Sequence, residues 1–368
     1  MKLQLRLIVG ALVMVFVAVV CISLIAYMTP KDASNDGSDV LFVPSYSEND
    51  SEIITDSSTE NSLEIIESES QFESSEEYSE SEESFNEVLV IPDGVEIKSP
   101  NVIVYNLTKQ YPVYSNIMYT QCAPASLTKM LTALVALDYF KPDDALRVGD
   151  EIDKVGQGST VAFLAKGQRY RMSTLLDALF LPSGNDVAYT LAVNTARVVA
   201  DDNKLSIDEA VSDFVRLMNA KAKALGCTMS NFASPDGYDT EGQYTSTEDI
   251  LTISIAAYSN PYIKTATAKS KSGNWVNTNL LIREDSDFYN PCVNGLKTGS
   301  TDAAGYCLSA SAVINNDTYI IVLMKGQGSF DRFVDANTII SLLDKSVPND
   351  ESVNSSDGSE LSAEISQQ

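Results

Sequence analysis

Residues 91–345 of this 368-residue chain carry the helical and strand spacings of apolar side chains that a folded core requires. The flanking segments have a different character. An uncharged apolar run lies near the start, and acidic, serine-rich stretches cover residues 31–90 and 346–368. About 255 residues are enough for one domain with a sizeable core. We therefore expect a single folded domain between flanking segments of another kind, and we see no internal repeat.

The start of the chain predicts a membrane anchor. Residues 7–28 form a run of 22 residues without a charge, and a helix rising about 1.5 Å per residue would cross a hydrocarbon core of about 30 Å. Lys2 and Arg6 precede the run, so the positive-inside bias places residue 1 in the cytoplasm and the domain outside. We predict a cytoplasmic stub and a transmembrane signal anchor in residues 1–30 of a single-pass cell-membrane protein. A cleaved signal peptide, with its usually shorter apolar region, is the alternative.

The chain is strongly acidic, with 51 acidic and 25 basic side chains and a net charge of −26. Residues 31–90 hold 18 acidic residues against one lysine. Such a segment cannot bury enough apolar surface to offset its ordering entropy, so we predict a disordered spacer that holds the domain off the membrane. Residues 346–368 are expected to be a disordered acidic tail. So negative a surface argues against a nucleic-acid partner.

The middle segment reads as strands at both ends with helices between them. The runs 305–314 and 317–326 flank Asn315-Asn316 and are typical of a hairpin. Two short strands are predicted within 102–120, and helical spacing occurs at 126–140, 173–181, 185–200, 207–226, from Thr247 onward and at 330–344. This order predicts an α/β or α+β fold in which the two ends of the domain close one sheet.

The chain contains no histidine, which excludes Ser-His-Asp and Cys-His catalysis and any imidazole metal site. We expect neither a metal nor a cofactor. A nucleophilic serine would need another base, and Ser126-Leu127-Thr128-Lys129 is the only Ser-x-x-Lys in the chain. Residues three apart share a helix face, and a lysine becomes a useful base when burial and a second cation lower its pKa. Taken alone, the motif is better explained by an ordinary amphipathic helix with a serine cap.

Two further polar motifs interrupt apolar elements. Ser183-Gly184-Asn185 lies at the junction of two apolar helices, where a hydroxyl and an amide could relay a proton and hold a substrate amide. A plain helix cap is the alternative and, for this motif alone, the better one. Lys297-Thr298-Gly299 ends a short strand-like run, where a strand edge could accept an extended peptide. Its alternative is an exposed hairpin turn.

A second set of similar triplets shows how little a three-residue match proves. Lys271-Ser272-Gly273-Asn274 contains both a Lys-Ser-Gly and a Ser-Gly-Asn. Its surroundings are polar and lack the flanking helices or strand, so we interpret it as a hairpin tip. If that choice is wrong, the assignments of Ser183 and Lys297 fail while those of Ser126 and Lys129 remain.

Together, in this order and context, the three motifs resemble those of the active-site serine penicillin-binding proteins and class A β-lactamases. Over residues 100–330 the chain is most similar to the low-molecular-mass D-alanyl-D-alanine carboxypeptidases, the S11 serine peptidases. The stretches PASLTKMLTALVAL, LPSGNDVA, MNAKAKALG, SPDGYDTEGQYTSTEDI and VNGLKTGSTDAAGYCLSASA carry the resemblance. It implies an antiparallel sheet with flanking helices and a helical subdomain.

The resemblance also implies a role for each motif. Ser126 would be the acyl-enzyme nucleophile, Lys129 would take its proton and Ser183 would relay protons. Substrate binding would fall to Asn185, Lys297, Thr298, Gly299 and Ser300. The backbone N–H groups of Ser126 and Ser300 would form an oxyanion hole.

The implied reaction is removal of the terminal D-Ala from peptidoglycan stem pentapeptides, with β-lactams acylating the same serine. Two alternatives remain open. A β-lactamase would need a carboxylate base for fast deacylation, and we find no convincing loop for one. A non-catalytic peptidoglycan-binding module would not need the reactive side chains that are all present.

The chain departs from the family at several positions. Asp236 stands where the family often has a histidine, and Ser300 stands where a bulky residue is frequent. If the protein is active, that histidine cannot be essential to the chemistry, and Ser300 could alter the fit of the substrate or of penicillins. The four cysteines beyond the apolar run are Cys122, Cys227, Cys292 and Cys307. A disulfide among them is conceivable in an oxidising compartment, with buried free thiols as the plainer expectation.

Overall fold

A computed structural model describes residues 88–346 of the chain. The predicted anchor (1–30), nearly all of the predicted spacer (31–90) and nearly all of the predicted tail (346–368) lie outside the described residues. Among residues 88–346, no helix has both the length and the apolar character needed to span a membrane.

A five-stranded antiparallel sheet forms the centre of the domain, in the order β2-β1-β9-β8-β7. Its strands are β1 (Asn101–Asn106), β2 (Tyr111–Asn116), β7 (Val293–Thr301), β8 (Gly305–Ile314) and β9 (Asp317–Gly326). The first strand pairs with the last, for example Val102 with Leu323. The sheet is therefore closed by the two ends of the domain, which confirms that prediction.

The hairpin between β8 and β9 turns at Asn315 and Asn316, as the sequence predicted. Both residues have a left-handed backbone, with φ of 49° and 68°, and Ile314 pairs with Asp317 across them. A two-residue turn with two positive φ angles follows the right-handed twist of the strands, and asparagine tolerates this conformation.

Alternate side chains of β9 enter different cores. Ile320 and Val322 belong to the cluster formed with the helical layer, whereas Ile321 and Leu323 pack in the cluster on the opposite face of the sheet. Burial on both faces explains why this strand reads as a continuous apolar run and not as an alternating one.

Seven helices flank the sheet within residues 88–346. The first six, which we call the helical layer, lie on one face and the seventh covers the other. They are α1 (Thr128–Leu137), α2 (Met172–Phe180), α3 (Asn185–Val199), α4 (Ile207–Leu225), α5 (Thr247–Ser259), α6 (Pro261–Thr267) and α7 (Asp331–Ser346). Two small antiparallel pairs lie outside the main sheet. They join β3 (Ala145–Arg147) with β4 (Arg169–Arg171) and β5 (Lys271–Ser272) with β6 (Trp275–Val276). The predicted mixed fold with an antiparallel sheet is confirmed.

Local capping signals mark some of the helix ends. A capping box joins Ser206 and Glu209 at the start of α4, and Gly226 ends it with a left-handed φ of 96°. The helix predicted at 126–140 differs at its start, where a 3-10 turn (Ala125–Leu127) precedes α1. Short α6, which Asn260 caps and Pro261 begins, was not predicted.

The apolar cluster between α7 and the sheet can be tested by substitution on α7. We expect Ile339→Ala to lower the free energy of unfolding by about 2–5 kcal/mol, because its side chain is fully buried in that cluster. Val334→Ala on the same helix is the control, since Val334 is 42% exposed and its loss should change stability by about 0.5 kcal/mol or less. Urea unfolding of both variants measures the difference, and equal losses would contradict the packing described.

Candidate active site

A cavity of about 640 Å³ opens between the helical layer and the β7 edge of the sheet. Seven of its lining residues come from the three predicted motifs and from the two positions that follow Gly299. They are Ser126, Ser183, Asn185, Thr298, Gly299, Ser300 and Thr301. Segments that are far apart in the sequence therefore meet at one concave surface.

Ser126 and Lys129 form a direct hydrogen-bonded pair at the base of this cavity. The Lys129 Nζ donates to Ser126 Oγ over 2.8 Å and to the backbone carbonyl of Asp236 over 2.8 Å. Lys129 is fully buried. Burial lowers its pKa to about 8, although the carboxylates of Asp236 and Asp186 act in the opposite direction. A usable fraction of Lys129 is therefore the free amine near neutral pH, which a base requires.

The backbone around Ser126 is held in an uncommon conformation. Ala125 has a φ of 48°, in the left-handed region that alanine rarely adopts. The turn at Gly237, with a φ of 83°, presses against it, and a Cβ at Gly237 would lie 1.9 Å from the carbonyl oxygen of Ala125. On the other side, a Cβ at Gly299 would lie 3.1 Å from the backbone nitrogen of Ser126. Two glycines thus permit the close approach that fixes the serine.

Ser183-Gly184-Asn185 occupies the junction of α2 and α3. Ser183 has a φ of 64°, and a Cβ at Gly184 would lie 2.8 Å from that of Ala162. Ser183 Oγ and Asn185 Oδ1 are buried and have no hydrogen-bond partner among residues 88–346. Since both residues line the cavity, these two polar atoms are available to a ligand.

Asp186 ties a loop to this junction. Its carboxylate accepts hydrogen bonds from the backbone nitrogens of Ala162 and Leu164, over 2.8 and 2.9 Å. Residues 158–160 of the same loop line the cavity. The first turn of α3 therefore contains the motif residue Asn185 and, through Asp186, anchors the loop that forms one wall of the cavity.

Lys297, Thr298 and Gly299 lie on β7, an edge strand, and not in the exposed hairpin turn that was the alternative. Lys297 is buried. Burial lowers its pKa well below the usual value, and the cations Lys129 and Arg332 lower it further. Thr298 Oγ1 lies 2.6 Å from Thr278 Oγ1, so a second hydroxyl reaches the same wall.

Sequence reasoning missed Arg332 on α7. Its guanidinium donates to the carbonyl oxygens of Gly299 and Cys307, over 2.8 and 3.2 Å, and the residue lines the cavity. Its Nε is buried without a hydrogen-bond partner among the described residues. Nothing in the local sequence marks this arginine, because only the packing of α7 on the sheet brings it to the site.

The triplets at 271–274 lie elsewhere, in agreement with their interpretation as a hairpin tip. They span β5 and the turn before β6, where Gly273 has a φ of 55°. Ser272 Oγ donates to the Asp177 carboxylate over 2.8 Å and takes no part in lining the cavity.

Among residues 88–346 the four cysteines form no disulfide and, with the acidic side chains, no metal site. Cys122, Cys227, Cys292 and Cys307 are free thiols, and burial raises the pKa of the Cys122 thiol to about 11, which leaves it a poor nucleophile. No group of three or more Cys, Asp or Glu side chains within residues 88–346 is arranged to hold a metal ion.

Known proteins that resemble this chain match the segment that contains the three motifs. The family model of the S11 peptidases, described as D-alanyl-D-alanine carboxypeptidase, matches residues 89–328. The carboxypeptidase DacF of Bacillus subtilis is 32% identical over 225 residues, which cover 57% of this chain and 53% of DacF. DacA of Escherichia coli is 32% identical over 214 residues, covering 55% and 50%. The chain thus spans about half the length of these curated relatives.

Other similar proteins are covered more fully. A D-alanyl-D-alanine endopeptidase of Escherichia coli is 29% identical over 66% of this chain and 76% of its own length. The crystal structure of the Streptomyces K15 DD-transpeptidase matches with a TM-score of 0.61 and 25% identity, over 67% of this chain and 97% of that one. This likeness agrees with the fold that the sequence resemblance implied.

The close contact between Gly237 and Ala125 predicts that alanine destabilises the protein more at position 237 than at position 242. Gly237→Ala and Gly242→Ala both place alanine at a left-handed φ, of 83° and 79°, which costs about 1–2 kcal/mol. Only at position 237 does the new Cβ also collide with backbone, since the nearest atom at 242 is 3.9 Å away. We expect Gly237→Ala to lower the thermal midpoint clearly further than Gly242→Ala. Similar midpoints by calorimetry would contradict the contact.

Proposed function

Because the chain belongs to the S11 peptidase family of D-alanyl-D-alanine carboxypeptidases, we propose that its domain at about 91–345 removes the terminal D-Ala from peptidoglycan stem pentapeptides. The 2.8 Å hydrogen bond from Lys129 to Ser126 at the base of the cavity carries the proposal. It supplies a nucleophile and a base without a histidine.

Acylation would begin on Ser126. Its Oγ attacks the carbonyl carbon of the penultimate D-Ala while its proton passes to the amine of Lys129. The backbone N–H groups of Ser126 and Ser300 are proposed to hold the oxyanion, a function typically worth about 3–4 kcal/mol per donor. The peptide C–N bond then breaks, and the leaving D-Ala amine takes a proton that Ser183 can relay. Water hydrolyses the acyl-enzyme and returns the proton to Ser126.

Substrate binding is assigned to the β7 edge and the Ser183-Gly184-Asn185 junction. An extended stem peptide can pair with an edge strand, and Gly299 leaves space for its backbone. The terminal carboxylate is assigned to Lys297 and Thr298, with a third interaction from Arg332, whose guanidinium donates to the Gly299 carbonyl. Asn185 is proposed to hold a substrate amide, which its buried, unpartnered Oδ1 supports.

β-Lactams are proposed inhibitors, because they present a reactive amide and a carboxylate to the same groups. After incubation of the full chain with a penicillin, we expect mass spectrometry to show a stable adduct on Ser126. We also expect D-alanine release from a synthetic pentapeptide. Ser126→Ala should abolish both, and Lys129→Ala should reduce both by at least roughly a hundredfold, the usual contribution of a general base.

The control for these variants is Lys166→Ala, which removes an exposed lysine paired with Asp150 and Asp153 outside the cavity. Its adduct and D-alanine release should equal those of the unmodified chain. Rapid turnover of penicillin would instead favour a β-lactamase. Absence of both an adduct and D-alanine release in the folded, unmodified chain would favour a non-catalytic binding module.

The chain is further proposed to be anchored in the cell membrane by residues 7–28, with the catalytic domain outside. The apolar run and the preceding Lys2 and Arg6 support this orientation. An acidic spacer over 31–90 and a tail over 346–368, both disordered, complete the proposed organisation.

Fractionation of expressing cells tests the anchor. The full chain should remain in the membrane fraction after a high-salt wash, because apolar insertion does not depend on charge. A chain in which a cleavable signal peptide replaces residues 1–30 should be released. A soluble full-chain product whose new first residue lies near position 30 would identify a cleaved signal peptide instead.

A further inference from the structure

Asp236 contacts the Ser126–Lys129 pair through its backbone carbonyl, and one oxygen of its carboxylate has no hydrogen-bond partner among residues 88–346. Asp236 is 1% exposed and contributes to the cavity wall. Its Oδ1 accepts from Ser234 Oγ over 2.8 Å and from the backbone nitrogen of Tyr238 over 3.1 Å. Its Oδ2 is buried and has no partner among the residues that the structure describes.

Structural carboxylates in this domain are satisfied differently. Asp249 is also buried, yet its Oδ1 accepts from the backbone of Thr228 and its Oδ2 from Met229 and Ser230. Asp186 likewise uses both oxygens, for Ala162 and Leu164. A buried acceptor without a partner is costly, so the orphaned oxygen of Asp236 requires an explanation other than turn formation.

Asp236 is fixed in position relative to the lysine. The Lys129 Nζ donates to its backbone carbonyl, and Thr132 Oγ1 donates to the preceding carbonyl of Pro235 over 2.5 Å. The close contact of Gly237 with Ala125 holds the other side of the turn. The backbone of Asp236 therefore cannot move away from the pair without breaking these contacts, and Ser234 and Tyr238 hold its carboxylate.

Charged and titratable groups approach Lys129 from three directions. Helix α3 supplies Asp186, strand β7 supplies Lys297, and the 234–238 turn supplies Asp236. Tyr189, also on α3, faces the Asp236 carboxylate, and burial together with that charge raises the pKa of its phenol. Burial lowers the pKa of Lys129, and of the two carboxylates that raise it Asp236 has the larger effect. Both carboxylate oxygens of Asp186 accept hydrogen bonds from backbone N–H groups, whereas Oδ2 of Asp236 has no partner among the described residues.

On the basis of the proposed function, we propose that Asp236 is a positioning residue for the base. Its carboxylate stabilises the ammonium that Lys129 becomes when the Ser126 proton moves to Nζ and the new O–C bond forms. No other reactant is needed, because the proton lost by Oγ is the one gained by Nζ. Asp236 thereby sets the pH at which the serine is activated.

Neutralising Asp236 should have two opposite consequences. Without the negative charge the ammonium of Lys129 is less stable, so its pKa falls. The acid limb of the pH–rate profile therefore moves to lower pH. The same amine is a weaker base, so the plateau rate falls. A merely structural loss would lower the rate at every pH without moving the limb.

The test measures the second-order rate of Ser126 acylation by a fluorescent penicillin between pH 5 and 10, using the full chain. In Asp236→Asn, the amide oxygen can still accept from Ser234 and Tyr238. We expect its acid limb to lie roughly one pH unit lower than in the unmodified chain, the usual size of such a charge effect. The plateau should fall by roughly threefold to tenfold.

Two controls separate charge from stability. Asp208→Asn makes the same change of net charge on exposed α4, and its acid limb should coincide with that of the unmodified chain. Asp249→Asn removes a buried structural carboxylate and should lower the thermal midpoint without moving the limb. Asp236→Ser is the second neutral variant and decides the question if the asparagine variant does not fold.

The outcomes distinguish this inference from the proposed function. An unmoved limb, or one moved to higher pH, in a folded Asp236 variant would overturn the role of Asp236 and leave the carboxypeptidase proposal intact. An unmodified chain that is acylated at no pH would overturn the proposed function and the role of Asp236 with it.

Discussion

Withdrawal of the Lys129 amine from water is the constraint on which the site depends. A buried amine must find hydrogen-bond partners or lose its charge, because desolvation of an ammonium is expensive. Its Nζ has two partners, the hydroxyl of Ser126 and the carbonyl of Asp236. The start of α1 and the 234–238 turn must therefore meet at one atom, and the packing of both against β7 excludes water from it.

Elements that depend on neighbouring residues could be predicted from the sequence. The β8–β9 hairpin follows from two apolar runs joined by Asn315-Asn316, and the end of α4 follows from Gly226. The three-residue spacing of Ser126 and Lys129 predicted a shared face, and the two side chains do form a hydrogen bond. That prediction survived although Ser126 lies in a 3-10 turn instead of an α-helix, since both structures bring residues three apart together.

Features that arise only from tertiary contact could not be predicted in this way. The left-handed backbone of Ala125 is imposed by packing against Gly237, and no local preference of alanine indicates it. Arg332 reaches the cavity because α7 crosses the end of β7 and β8. Asp236 stood out in the sequence only as a departure from a family pattern, without a reason for it. The unpartnered Oδ2 and its position beside Lys129 become visible only once the 234–238 turn is placed.

The two buried lysines show how one low-dielectric site can assign different tasks to the same side chain. Burial lowers the pKa of both, but Asp236 and Asp186 raise that of Lys129, whereas Lys129 and Arg332 lower that of Lys297 further. Lys297 thus lacks a counter-ion within the described part of the chain that would stabilise its charge. A substrate carboxylate would provide one, because an adjacent anion favours the ammonium form. In the proposed function, binding of an anionic peptide end would then restore the charge of Lys297.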